Sequence, residues 1–366
     1  MLSFTLESAV AIVAVVCITH SSSSSSTNSS CSSDADSSAE YTIRSNDIPR
    51  ATHEACHDLH LFKILPLTPE QLCLDMQLVQ ASYLSNPYHN KHHGADVVSK
   101  SAKTLQRDGA SLKRRVMEAQ CLTLEQWGEH QERRFALFQL AVILAAAMHD
   151  VLHPGYNNAY LKAIKHVMAL THTTAEQASV AFFTDIFLSQ QHVLNCLSEE
   201  ERQLVKEIIT YAIDETDMSK HGDALKWQAA GELECFKHLA ALIVHAADLA
   251  NGADAWAVSK VWARWCNAEF HAQGDHSLRY HPELPVMKQF NRKVADVPDG
   301  QLFFITTFAV PTFEALEAVA PLTAQAGLQG CKMNAAICKV IMQRNKDCLL
   351  QRTMSRLGLG TLPRFL

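Results

Sequence analysis

Apolar residues recur along most of this chain at helical rather than strand spacing. In FALFQLAVILAAAMHD (135–150) they fill nearly every position, which predicts a helix buried all round. ERQLVKEIITYAI (201–213) keeps its apolar residues on one face and its charges on the other, and FKHLAALIVHAADLAN (236–251) is again apolar almost throughout. GQLFFITTFAVPTFEALEAV (300–319) begins after a glycine and carries Pro311 inside, so a helix there should kink or break. No run alternates with period two between hairpin turns, and β-prone pieces such as LFFITTF have helical flanks. The pattern predicts an all-α fold.

The interruptions set the organisation. Residues 21–38 are dominated by Ser with Asp and Asn, a composition that buries too little apolar surface to offset its ordering entropy. Residues 1–40 are therefore expected to be a disordered, Ser-rich leader, and 41–366 a single folded domain beginning between Glu40 and Leu61. Residues 107–134, rich in charge and broken at Gly109, are expected to be a solvent-facing excursion. Residues 271–300 hold three Pro and two Gly, which predicts one long loop of the kind that is often functional. The apolar run at 10–18 is shorter than the ~20 residues a membrane-spanning helix needs, so no span is expected. Glu7 rather than Lys or Arg precedes it and no small-x-small cleavage site follows, which leaves secretion as the minor alternative to a leader.

Composition narrows the function. At 48% hydrophobic over 366 residues the chain can build a large core, and its net charge of −6 offers no basic surface to nucleic acid. Eleven Cys, an odd number without a CxxC pair, argue for free thiols in a reducing compartment, so the expected location is cytoplasmic. Nineteen His, several beside carboxylates, raise the expectation of a metal site.

Three segments carry that chemistry. In YHNKHHGADVV (88–98), His89 and His93 are four apart and would share a helix face with Asp96, while His92 points elsewhere. In AAAMHDVLHPGYNN (145–158), His149 and His153 repeat the spacing, and Asp150 ends an otherwise apolar helix. A buried carboxylate needs compensation, and a divalent cation supplies it. In VHAADLAN (244–251), His245 and Asp248 stand three apart at the end of another apolar helix. His93, His149, Asp150 and Asp248 form a mixed nitrogen and oxygen set suited to Zn²⁺. The second oxygen of Asp150 could bridge to another ion, Mg²⁺ or Mn²⁺, and paired metals are a recurring solution for phosphoester hydrolysis.

In order along the chain, YHNxxHGxDV, HDVxHPGxNN, ETDMSKH (215–221) and HAADLAN resemble the signature blocks of class I cyclic-nucleotide phosphodiesterases, members of the HD-type metal phosphohydrolase superfamily. The resemblance covers most of residues 60–350. It implies an all-helical catalytic domain with a deep, metal-containing pocket, a cyclic nucleotide as substrate and a 5′-monophosphate as product. It makes His89 the general acid and Glu269 the carboxylate that orients its imidazole, and it places the metal ligands on the same four residues. Gln301 matches the glutamine that hydrogen-bonds the purine and Phe304 the aromatic that stacks on it. Tyr88 and Asn251 match positions near the base and the metal pocket. Asn251 is the residue associated with cAMP-preferring members, so cAMP is expected over cGMP.

The chain also departs from the family pattern. A Glu closely followed by paired His usually comes after the second block. Here AEQAS (175–179) keeps Glu176 but has Ala178 and Ser179 where the imidazoles belong. Cys266 stands where a larger aliphatic faces the stacking Phe, and Ser259 where an aromatic can pin the glutamine. The alternatives are a metal phosphohydrolase acting on another phosphoester and a non-catalytic nucleotide-binding relative.

Overall fold

The computed structural model describes residues 34–226 and 232–356, and no strand occurs among them. The apolar run at 10–18 and most of the Ser-rich stretch lie outside the described residues. Twelve described α-helices have eight residues or more: α1 Asp34–Arg44, α2 Ile48–Asp58, α3 Pro69–Ala81, α4 Lys91–Arg107, α5 Gly109–Ala119, α6 Glu129–Met148, α7 Glu199–Asp214, α8 Glu232–Leu249, α9 Trp256–Tyr280, α10 Val297–Phe304, α11 Val310–Glu317 and α12 Pro321–Arg356.

The centre is α6, buried without interruption from Phe135 to Met148. Each large apolar side chain so buried contributes about 1.5–3 kcal/mol relative to exposure, which is why the segment with no polar face takes the middle. α2, α4, α7 and α8 pack around it. Phe138 of α6 stacks on Phe236 of α8 with ring centroids 5.0 Å apart. The polar ends of α4, α6 and α8 meet at one end of this core, where the candidate site lies.

Four expectations change against the structure. Residues 34–40, assigned to the leader, form the first part of α1. Ala39 and Ile43, one helical turn apart, bury against Tyr88, Val261, Trp262 and Trp265, and Lys260 pairs with Asp36 at 2.7 Å. Serine content concealed that apolar pair. The excursion at 107–134 contains α5, whose Leu112 and Val116 are buried. The break falls at Asp108, whose carboxylate accepts the Leu322 and Thr323 amides at 2.9 and 3.0 Å and so caps α12. The loop expected from 271 begins only after Tyr280, because α9 continues through Gly274. That glycine is there for close packing, since a Cβ on it would lie 1.8 Å from the Phe290 carbonyl oxygen. The Pro311 kink takes the form of a π-helical turn over Ile305–Ala309, closed by Val310 N–H donating to the Ile305 carbonyl, with Pro311 in the first turn of α11.

Candidate metal and acid site

Asn90 caps α4 by accepting from the His92 and His93 amides at 2.8 and 3.4 Å. His93 therefore opens the helix while His89 precedes it, in a turn. The expectation that both sit on one helical face is corrected, although their rings still lie 6.0 Å apart. His92 turns away to the Asn46 carbonyl, and Asp96 pairs with Lys100 at 2.7 Å.

His149 follows the last residue of α6, and Asp150 lies in the turn beyond. Asp248 comes from the last turn of α8. His93 Nε2 lies 2.9 Å from Asp248 Oδ1 and 3.5 Å from Asp150 Oδ2. His149 Nε2 lies 3.2 Å from Asp150 Oδ2 and 3.7 Å from Asp248 Oδ1. All four sequence-predicted ligands thus converge.

Their chemistry fits a cation. His149 Nδ1 donates to the Ala146 carbonyl at 2.9 Å, which turns the Nε2 lone pair toward the carboxylates. Neither His149 Nε2 nor Asp150 Oδ2, both buried, has a hydrogen-bond partner among the described residues. Burial works against charge on Asp150, yet the His149 and His89 imidazoles hold it well below the usual carboxylate range. Burial likewise opposes charge on His149, while Asp150 and Asp248 pull its pKa well up. That field selects for positive charge among the four side chains, and a divalent cation satisfies all four donors at once. Donor atoms of His93, His149 and Asp248 lie within 4.8 Å of one another, as do those of His89, Asp150 and His153.

Glu269, buried on α9, builds the acid side. One oxygen accepts the Tyr88 and His89 amides at 3.0 and 3.1 Å, and the other contacts His89 Nδ1. A single carboxylate thus fixes both the backbone and the ring of His89. Burial would lower the His89 pKa, but the Glu269 and Asp150 charges raise it to about 9. Glu269 is held at about 2, because the His89 imidazole outweighs burial.

His153 stacks on His89 with centroids 3.9 Å apart, and its pKa is lowered to about 4 by burial and then by the His89 charge. The spacing from His149 singled His153 out, but nothing in the sequence tied it to His89. Asn86 was not singled out. Its amide donates to the His89 carbonyl at 2.9 Å and the His153 carbonyl at 2.7 Å, joining the two turns. His245 stays outside the cluster and contacts His221 at 2.9 Å. The carboxyl of Glu176 is raised by burial and held by Asn158 at 2.8 Å. The Ser179 hydroxyl is engaged by the Val151 carbonyl at 2.9 Å and Ala178 is buried, so neither substitutes for an imidazole.

The Asn251 amide donates to the Tyr88 hydroxyl. The Tyr88 ring lies 4.6 Å from that of His93, linking this side to the ligands. Gln301 is buried and its Nε2 has no partner among the described residues. Phe304 packs beside Gly252, where a Cβ would come within 3.0 Å of the ring. Cys266 joins the cluster of Tyr88, Trp262 and Trp265, and the Ser259 hydroxyl is buried without a partner among the described residues.

Comparison with known proteins gives the family and the fold. Residues 88–331 match the family model described as 3′5′-cyclic nucleotide phosphodiesterase. The chain is 25% identical over 254 residues to the dual 3′,5′-cyclic-AMP and -GMP phosphodiesterase beta of Plasmodium falciparum, covering 65% of this chain and 20% of that protein. It is 28% identical over 248 residues to the human dual specificity calcium/calmodulin-dependent 3′,5′-cyclic nucleotide phosphodiesterase 1B, covering 66% and 42%. It is 26% identical over 278 residues to the mouse high affinity cAMP-specific and IBMX-insensitive 3′,5′-cyclic phosphodiesterase 8A, covering 67% and 31%. The chain thus spans between a fifth and about two fifths of these relatives' lengths. The fold matches the crystal structure of the phosphodiesterase domain of the RhoPDE fusion protein from the choanoflagellate Salpingoeca rosetta, with a TM-score of 0.69 at 21% identity over 82% of this chain and 92% of that one. With two thirds of its length matched by the family model and its charged side chains gathered at one end of the helical core, this chain belongs to the 3′,5′-cyclic nucleotide phosphodiesterase family.

Proposed function

We propose that this chain hydrolyses a 3′,5′-cyclic nucleotide to the 5′-monophosphate, with cAMP preferred over cGMP. The observation that carries the reading is the His89–Glu269 contact standing beside the cluster of His93, His149, Asp150 and Asp248. Those four residues would hold divalent ions, their nitrogen donors suiting Zn²⁺ and their carboxylate oxygens Mg²⁺ or Mn²⁺. When bound, such ions supply hydroxide near neutral pH and neutralise phosphoryl charge. His89, kept protonated and aimed by Glu269, donates its proton to O3′ as the phosphorus–O3′ bond breaks. His153, its own pKa lowered to about 4 by burial and the His89 charge, stacks on the His89 ring with centroids 3.9 Å apart.

Gln301 and Phe304 would receive the purine. Their support is the unpartnered, buried Gln301 amide and an adjacent aromatic already seated against Gly252. The nucleotide preference rests on Asn251. Its Nδ2 is engaged by the Tyr88 hydroxyl, leaving Oδ1 as an acceptor that suits the adenine amino group better than the guanine carbonyl. Relatives named as dual-specific and as cAMP-specific bracket that choice. A reducing, cytoplasmic setting is proposed from the cysteine pattern of the sequence, and Cys56, Cys331 and Cys338 are buried thiols. None of the described helices is long and apolar enough to cross a membrane.

The test is turnover of cAMP and cGMP side by side with Mg²⁺ or Mn²⁺, with the product identified. The expected product is the 5′-monophosphate, at higher kcat/KM for cAMP. Nucleotide retention without product release would indicate a binding relative, and release from other phosphoesters alone would indicate the broader phosphohydrolase.

A further inference from the structure

The turn at Ala250–Ala253 carries Asn251 and abuts Phe304, so its position sets the base pocket of the reading above, on which this inference rests. It is pinned from α12. Asn334, almost fully buried, donates one amide group to two backbone carbonyls, Gly252 at 2.9 Å and Asp254 at 2.8 Å. One helical turn earlier, Gly330 lets α12 approach so closely that a Cβ would lie 2.0 Å from the Ala253 carbonyl oxygen. From α4, Lys100 holds the Asp254 carboxylate at 2.8 Å. On its other side the turn presents Gly252 to the Phe304 ring and the Ile305 side chain, with Cβ distances of 3.0 and 3.3 Å.

We infer that Asn334 is a positioning residue for the nucleotide base: by holding the Gly252 and Asp254 carbonyls it fixes the surface on which Phe304 rests. It lies three residues past the stretch that matches the family model, and its amide donates to backbone carbonyls of the turn rather than to the charged side chains of the site. Without the amide, two buried carbonyls lose their donor and the turn relaxes away from α12. Phe304 then loses its backing, while His89, Glu269 and the four ligands keep their supports on α4, α6, α8 and α9.

The experiment uses the full chain with Asn334→Leu, which removes both hydrogen bonds at similar volume, and Asn334→Ser, a gentler change that keeps one short donor. Each is measured alone and combined with Phe304→Ala, for kcat, KM and bound metal. Loss of two buried hydrogen bonds is expected to raise KM for cAMP by about five- to twentyfold in Asn334→Leu and less in Asn334→Ser. kcat should stay within about twofold and metal content unchanged, since the residue is remote from the reacting atoms. In the Phe304→Ala background the same changes should alter KM by less than about twofold, because both act through one contact. The inference is overturned if KM does not move, if kcat and metal fall together, if the effects add fully to Phe304→Ala, or if Asn334→Ser fails to fold. If Phe304→Ala itself leaves KM unchanged, the base-pocket reading fails instead; if Phe304→Ala raises KM and the Asn334 variants do not, only the role of Asn334 fails.

Discussion

At one end of the site, imidazoles and carboxylates from the ends of α4, α6 and α8 converge, and two of the imidazoles have a second anchor. His149 is tied to Ala146, and His89 to Glu269. At the other end, Gln301 has an unpartnered amide, Phe304 rests on a glycine and Asn251 leans on Tyr88. The first end is over-determined by charge, so removing one member leaves buried charges uncompensated. The second is held by shape and a few amide contacts, so changes there should be graded. Chemistry is expected to fail at the first end and affinity to drift at the second.

The sharpest way to break that contrast is Asp150→Ala. Loss of the carboxylate between His93 and His149 should abolish turnover and lower bound metal, checked by metal analysis of the purified variant. Near-normal turnover with full metal content would refute the role of the cluster. His89→Ala should lower kcat by about 10²–10⁴-fold while metal stays bound. If metal falls as far as in His93→Ala, acid and ligand roles have been divided wrongly.

A pH profile sharpens the same end. In the proposed reaction His89 acts protonated, and against burial the Glu269 and Asp150 charges hold its pKa at about 9. The alkaline limb of kcat/KM should therefore move to lower pH in Glu269→Gln, because the carboxylate that raises the pKa is gone. An unmoved limb would mean another group supplies the proton. At the base end, Gln301→Ala should raise KM for both nucleotides, by about 5–150-fold if a buried purine edge loses its partner, with metal unchanged. The smallest effect is expected from Cys266→Val. One added methyl group, worth about 0.8 kcal/mol if it packs without strain, should lower KM by about three- to fourfold. A rise in KM would show that the pocket wall is already full.

The two ends also differed in how far the sequence revealed them. Asp150 and Asp248 stood out because a carboxylate at the end of an apolar helix demands a partner, and His93 and His149 completed a donor set that chemistry alone could assemble. The proposed base end is legible only through family resemblance, since a Gln and a Phe three apart look like any helix face. Asn334 was invisible, because its partners are backbone carbonyls 80 and 82 residues away. His89 lies beside His93, with rings 6.0 Å apart, yet outside the helix that its spacing predicts, because the Asn90 cap falls one residue after it. The helical fold followed from apolar periodicity. Composition misleads where packing decides: the exposed Ser37 and Ser38 stand beside the buried Ala39 of α1, and Gly274 serves close contact with Phe290 instead of ending α9.

The most direct measurement of the central claim is the rate of 5′-monophosphate release from cAMP by the metal-loaded chain, determined in parallel for the unaltered protein, His89→Ala and Asp150→Ala, with metal content measured on each sample. The expected result is turnover in the unaltered protein, loss of turnover with metal retained in His89→Ala, and loss of both in Asp150→Ala. Equal turnover in all three, or no 5′-monophosphate from a fully metal-loaded unaltered protein, would contradict it.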